Sequence, residues 1–266
     1  MTTFQTLASS SSGNAALLSA GGTHLLIDMG LSCRRVCQAL AARGLRAEEL
    51  AAVLITHEHS DHISGLATYI KKYRTPIVCT PGTALQLAYR LAGIEDLLRP
   101  TALGQTVSFQ DAEVTLLPTS HDCRESAAFH IAGPDGAVGY LTDTGYIIDE
   151  TGRRLLGADL LVLESNHDED MLLAGPYPYA LKKRVLGPQG HLSNRAAALY
   201  AVDAARFGAR TILLSHLSQD NNTPALALET VGRPLAQAGW TGRLAVSPRD
   251  GAGEIYTLEG AASCRG

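Results

Sequence analysis

Six residues constrain this chain more than any other part of it: His57-Glu58-His59-Ser60-Asp61-His62. They follow the apolar run Ala51-Ala52-Val53-Leu54-Ile55-Thr56, which reads as a buried strand. Glycine and apolar residues come next, beginning Ile63-Ser64-Gly65-Leu66. Imidazole and carboxylate are the usual ligands of zinc and similar divalent ions. In extended backbone His57 and His59 point the same way and can grip one ion. Asp61 and His62 fall where the chain turns into a helix, within reach of a second ion. A solvated polar turn would explain these six residues alone, but it predicts no further ligands downstream.

Further candidates do follow. His121 comes after Leu116-Leu117-Pro118-Thr119-Ser120, Asp143 after Tyr140-Leu141-Thr142, and His216 after Ile212-Leu213-Leu214-Ser215. Each stands just past an apolar run, where a strand end delivers it to a common rim. A lone His at a strand end is more often a hydrogen-bonded structural residue. Joined to the six-residue core, the three complete a set for two ions.

The rest of the chain alternates strands and helices. Strands are expected at 4–7, 15–18, 24–27, 51–56, 76–79, 106–109, 114–117, 127–131, 138–141, 160–163, 211–214, 244–246 and 254–257. Helices are expected from the Ser32 cap to about Arg43, near 63–73, over 83–91, from the Ser193 cap to Phe207, and over 223–238. Residues 169–190 carry several Pro and Gly and read as a loop or lid with at most one helical turn. The pattern predicts an α/β (α+β) fold, two mixed sheets packed together with helices outside. No linker divides it, so one domain over 1–266 is expected.

Composition narrows the partners. An apolar content of 45% supplies a full core. A net charge of −4 excludes a broadly basic coat but leaves room for a local basic groove. Basic residues cluster at Arg34-Arg35, at Lys71-Lys72 with Arg74, and at Lys182-Lys183-Arg184. The five cysteines are odd in number and irregularly spaced, which suits reduced thiols in a cytoplasmic protein. No secretory signal or membrane-length apolar stretch is visible.

His57-x-His59-x-Asp61-His62, followed in order by His121, Asp143 and His216, resembles the metallo-β-lactamase superfamily. The resemblance implies an αββα sandwich with the metal site at one edge. It divides the ligands into His57, His59 and His121 for one ion and Asp61, His62 and His216 for the other, with Asp143 bridging. Asp28, after Leu25-Leu26-Ile27, matches a position that orients the ligand loop through hydrogen bonds. Glu164 and His191 resemble the acid-held, non-ligand His of tRNA 3′-processing endonucleases, which acts near the leaving group. Their Gly/Pro-rich tRNA-gripping arm has no counterpart here.

The chain also resembles the WalJ/YycJ family of small bacterial exonucleases. It rests on Ser9-Ser10-Ser11-Ser12-Gly13-Asn14, on Gly190-His191-Leu192-Ser193-Asn194, and on the segment from Ser215 to Asn222. It implies a phosphodiesterase carrying two divalent ions, zinc or manganese, that degrades DNA from a 5′ end. Asp61, His191 and Glu164 are the expected catalytic set. Ser10, Ser11, Ser12, Gly13 and Asn14 are expected either to cradle a terminal phosphate or to form an ordinary hairpin turn. Lys182, Lys183 and Arg184 are expected to meet the nucleic-acid backbone. An RNA-processing nuclease and a small-molecule hydrolase of the same fold are the alternatives.

Overall fold

The computed structural model describes residues 1–260. Long apolar runs can be buried on both faces only if something covers each face. Two sheets packed on one another, with helices outside, satisfy that demand. The first sheet holds β1 (Thr2–Ala8), β2 (Ala15–Ala20), β3 (Thr23–Ile27), β4 (Leu50–Leu54), β5 (Ile77–Cys79), β6 (Leu98–Pro100) and β14 (Tyr256–Leu258). Its strand order is β14-β1-β2-β3-β4-β5-β6. The second holds β7 (Thr106–Ser108), β8 (Glu113–Pro118), β9 (Ala127–Gly133), β10 (Gly136–Leu141), β11 (Leu160–Glu164), β12 (Thr211–Ser215) and β13 (Arg243–Val246). Its order is β13-β12-β11-β10-β9-β8-β7. Both sheets are mixed: β3 to β6 run parallel, as do β10 to β13, and the other pairings are antiparallel.

The period of two sorts each strand between two cores. Leu25, Ile27, Ala52 and Leu54 face Val114, Leu116, Val138, Leu160 and Val162 between the sheets. Leu26 and Val53 point outward onto α1 (Cys33–Ala42), α2 (Ser60–Ile63), α3 (Leu66–Tyr69) and α4 (Pro81–Arg90). On the far side Leu161, Leu163, Ile212 and Leu214 pack on α5 (Asp149–Leu155), α8 (Asn194–Arg206) and α9 (Pro224–Gln237). The result is the expected four-layer αββα arrangement.

Several local expectations need correction. The helix expected near 63–73 is split into α2 and α3 at Ser64-Gly65. Gly65 presses against the backbone there: a Cβ would lie 1.9 Å from the Leu31 carbonyl oxygen. The lid at 169–190 contains two short helices, α6 (Glu169–Ala174) and α7 (Tyr179–Val185). Asp168 caps α6 by accepting from Met171 N, a start signal masked by the Pro and Gly that follow. Helix α5 was not expected, being too short and polar for a clear period. Thr223 caps α9, its hydroxyl accepting from Leu226 N. No helix among the described residues is long and apolar enough to cross a membrane.

Candidate metal centre

The two parallel regions aim the C-terminal ends of their strands at one rim. Asp28 follows β3, the His57–His62 segment follows β4, Asp143 follows β10, Glu164 ends β11 and His216 follows β12. Strand β8 runs alongside in the same sense, so His121 arrives at this rim too. At three of these ends the backbone turns abruptly through the left-handed region: Asp28 at φ 58°, Asp143 at φ 56° and His216 at φ 57°. Non-glycine residues adopt it at a cost of order 1–3 kcal/mol, and such strain collects at functional sites.

Thr56, at the exit from β4, ties the rim together. Its hydroxyl donates to Asp28, and its N–H donates to Asp28 Oδ1 at 2.9 Å. The Thr56 hydroxyl oxygen accepts from His57 Nδ1 at 3.0 Å. His62 Nδ1 donates to Asp28 Oδ2 at 2.8 Å. His121 Nδ1 donates to the Gly190 carbonyl at 3.1 Å, and His216 Nδ1 to Glu164 Oε1 at 2.9 Å. Four rings thus carry their proton on Nδ1, facing outward, and turn a bare Nε2 inward.

The inward atoms converge. His57, His59 and His121 form one cluster, Asp61, His62 and His216 another, and Asp143 joins His57 and His62 in a third. His59 Nδ1 is 3.2 Å from His121 Nε2, and Asp61 Oδ2 is 3.3 Å from His62 Nε2. Asp143 reaches both sides, with Oδ2 3.3 Å from His62 Nε2 and Oδ1 3.8 Å from His121 Nε2. His57 Nε2, His216 Nε2 and Asp143 Oδ2 are buried with no hydrogen-bond partner. Each such atom costs about 1–3 kcal/mol unless something else satisfies it. Inward lone pairs on imidazole and carboxylate, spread over two adjoining clusters, are a donor set for divalent cations.

Charge points the same way. Burial works to lower the pKa of His62, yet Asp28 and Asp143 hold it well above the ordinary value. His216 is likewise pushed up to about 10, burial being outweighed by Asp143, Asp61 and Glu164. Asp61, which burial alone would raise, is held far below the usual carboxylate range by His216 and His62. On the other side His57 lies well below its ordinary value, through burial and the neighbouring imidazoles. Four carboxylates converge here, and the site calls for positive charge of the kind a divalent cation would supply.

Glu164 and His191 meet as expected. Glu164 is fully buried. Its Oε1 accepts from His191 Nδ1 at 2.8 Å as well as from His216 Nδ1. Its Oε2 accepts from Thr144 N at 2.9 Å and Leu192 N at 3.1 Å. Burial lowers the pKa of His191, but Glu164 and Asp143 more than reverse this and leave it raised.

Most backbone N–H groups of the serine turn are already bonded. The N–H groups of Ser9, Ser10, Ser12, Gly13 and Asn14 all have acceptors within the protein. The turn aims Asn14: Ser10 fixes its amide at both ends, and Nδ2 lies 3.2 Å from Asp61 Oδ2 and 3.1 Å from His62 Nε2. Ser11 alone of the turn lines the cleft over the cluster, a cavity of about 180 Å³ shared with His121, His191, His216, Tyr177 and Arg184. Of the α7 cations, Lys182 turns back to the Leu173 carbonyl, Lys183 is exposed, and Arg184 enters the cleft.

Two contributors escaped the sequence reading. Thr56 looked like the last residue of a strand. Asp122 adjoins His121. Its Oδ2 binds Arg184 Nε at 2.5 Å, and its buried, unpartnered Oδ1 lies 3.9 Å from His59 Nε2, the outer nitrogen of that ring. Cys123, by contrast, stays outside the clusters, its thiol pushed up to about 11 by burial.

Two mixed sheets in a helix-covered sandwich, with histidines and carboxylates gathered at one rim, define the metallo-β-lactamase fold. The chain belongs to the β-lactamase superfamily: the model described as "Beta-lactamase superfamily domain" matches residues 23–217. It is 34% identical to exodeoxyribonuclease YycJ of Bacillus anthracis, over 89% of this chain and 90% of that protein. It is 35% identical to exodeoxyribonuclease WalJ of Streptococcus pneumoniae, over 88% of each. Among solved structures it resembles the metallo-β-lactamase fold protein YhfI of Bacillus subtilis, with a TM-score of 0.71 at 19% identity, covering 96% of this chain and all of that one.

Proposed function

We propose that the chain is a single cytoplasmic hydrolase domain that degrades DNA from a 5′ end. Identity of 34–35% to two exodeoxyribonucleases along nearly the whole chain is the observation that carries this reading. His57, His59 and His121 would hold one divalent ion, zinc or manganese, and Asp61, His62 and His216 a second, with Asp143 shared. Such a pair supplies an activated water and stabilises charge on the phosphoryl oxygens.

The chain's own groups do the rest. Asp28 and Thr56 lock His57 and His62 in the tautomer with a bare inward Nε2. Glu164 does the same for His216 and holds the proton on His191 Nδ1. His191, at the wall of the cleft, would deliver a proton from Nε2 to the departing alkoxide. Arg184 and Ser11 would meet phosphate oxygens in the same cleft.

The test is a digestion of duplex DNA labelled separately at each end, bearing 5′-phosphate or 5′-hydroxyl, with manganese or zinc. Stepwise loss from the 5′ end is expected. Asp61→Ala should abolish it together with metal loading. A metal-loaded wild type that leaves DNA intact would sink the DNA reading and direct attention to RNA and small esters.

A further inference from the structure

Two basic clusters that are far apart in the sequence meet across one groove. Helix α1 carries Arg34-Arg35, and the turn after α3 carries Lys71-Lys72 with Arg74. The groove between them encloses about 580 Å³. Ser32, Arg34, Gln38, Ser64, Thr68 and Lys72 line it, and all six are exposed. Among the described residues Arg34 and Lys72 have no salt-bridge partner. Arg35 and Arg74 have only exposed pairings, with Asp250 at 3.9 Å and Asp96 at 3.5 Å, which bind weakly. No acidic residue lies in the first turn of α1, so nothing there offsets its positive dipole end.

One end of the groove adjoins the metal centre. Ser64 stands one helical turn past Asp61 and donates to the Gly30 carbonyl at 2.7 Å. Gly30 N donates to the Asn14 carbonyl, and Asn14 N to the Asp61 carbonyl. Gly30 is packed so closely that a Cβ would lie 1.6 Å from the Asp61 carbonyl oxygen. From Ser32 and Ser64 the groove then follows α1 away from the rim. Ten residues of helix span about 15 Å, the reach of about four phosphates of one strand.

We propose that this groove is the track for the sugar-phosphate backbone of the DNA body, leading away from the strand end held in the cleft. Its polar lining offers such a backbone two cations, hydroxyls and an amide, over a floor that includes Cys33, Cys37, Ala41 and Tyr73. Contacts of its cations to phosphate oxygens would fix the register of the duplex without reading its sequence. It also resolves how a chain of net charge −4 binds a polyanion, by concentrating unpaired cations on one face. The inference rests on the DNA reading above and adds a second binding surface to it.

The experiment is fluorescence anisotropy of a 5′-phosphorylated duplex, about 30 base pairs long, made uncleavable by phosphorothioate linkages at its 5′ ends. Metal-loaded wild type is compared with the double variant Arg34→Gln/Lys72→Gln across a salt series. Losing two phosphate contacts should flatten the slope of log K against log salt by about 1.8 and weaken binding roughly three- to tenfold at physiological salt. Metal content and thermal midpoint serve as the fold controls. Arg233→Gln, which removes an exposed partner of Glu229 on α9 against the other sheet, should bind as wild type does. A double variant with the wild-type slope and affinity overturns the track while leaving the nuclease reading intact. A wild type that neither binds nor cuts duplex DNA overturns both.

Discussion

Glu164→Gln changes one oxygen to an amide nitrogen, yet it strikes four hydrogen bonds. Oε1 serves two imidazole Nδ1–H donors, and Oε2 serves the N–H groups of Thr144 and Leu192. If the glutamine oxygen stays toward the histidines, its NH₂ faces two backbone donors. If it flips, the NH₂ faces both rings, and His216 must move its proton to Nε2, the nitrogen that points at Asp61. Either way two buried polar groups lose their partners. At about 1–3 kcal/mol each, the loss is about 2–6 kcal/mol. That is a large share of a typical stability of about 5–15 kcal/mol. For a chain of this size it lowers the thermal midpoint by at least about 4 °C. Thermal unfolding before and after chelation, with metal content measured on the same samples, checks it. Both the midpoint and the metal content should fall. A variant within about 1 °C of wild type, with full metal content, would refute the account of Glu164 as the anchor of both rings.

Other outcomes are more local. Gly30→Ala should cost at least about 3 kcal/mol and release metal, because its Cβ would overlap the Asp61 carbonyl and lie 2.5 Å from Asn14 N; unchanged unfolding and metal content would contradict that packing. His191→Ala should cut turnover while metal stays bound, and metal loss would recast His191 as a ligand. Because Glu164 and Asp143 raise the pKa of His191 against burial, a step needing its proton should fade as pH rises through that raised value. A pH–rate profile of wild type should show this alkaline limb, and the same limb surviving in His191→Ala would assign it elsewhere. At pH 8 about one Cys123 thiol in a thousand is ionised, so iodoacetamide should label it slowly; rapid labelling followed by mass spectrometry would show a more open loop.

The sequence by itself determined the sandwich and most of the donor set. Its apolar runs are long enough to need cover on both faces, and that demand is legible without coordinates in Leu25-Leu26-Ile27 or Leu160-Leu161-Val162-Leu163. His57, His59, Asp61 and His62 were legible because their spacing is local. His121, Asp143 and His216 were legible only as strand ends, since nothing in one dimension says that three ends share a rim. Tertiary structure decided the tautomers. Which nitrogen faces inward depends on Asp28, Thr56, Glu164 and the Gly190 carbonyl, and three of these four partners lie more than 25 positions away from a ring they orient. It also decided what the serine turn does, because backbone N–H groups that look free in a Ser/Gly/Asn string are satisfied only once the Asp61 carbonyl and Asn14 side chain are in place. The basic groove is likewise a product of packing: Arg34 and Lys72 become neighbours only when α1 and α3 settle on the same sheet face, where side chains are sorted by direction and not by order.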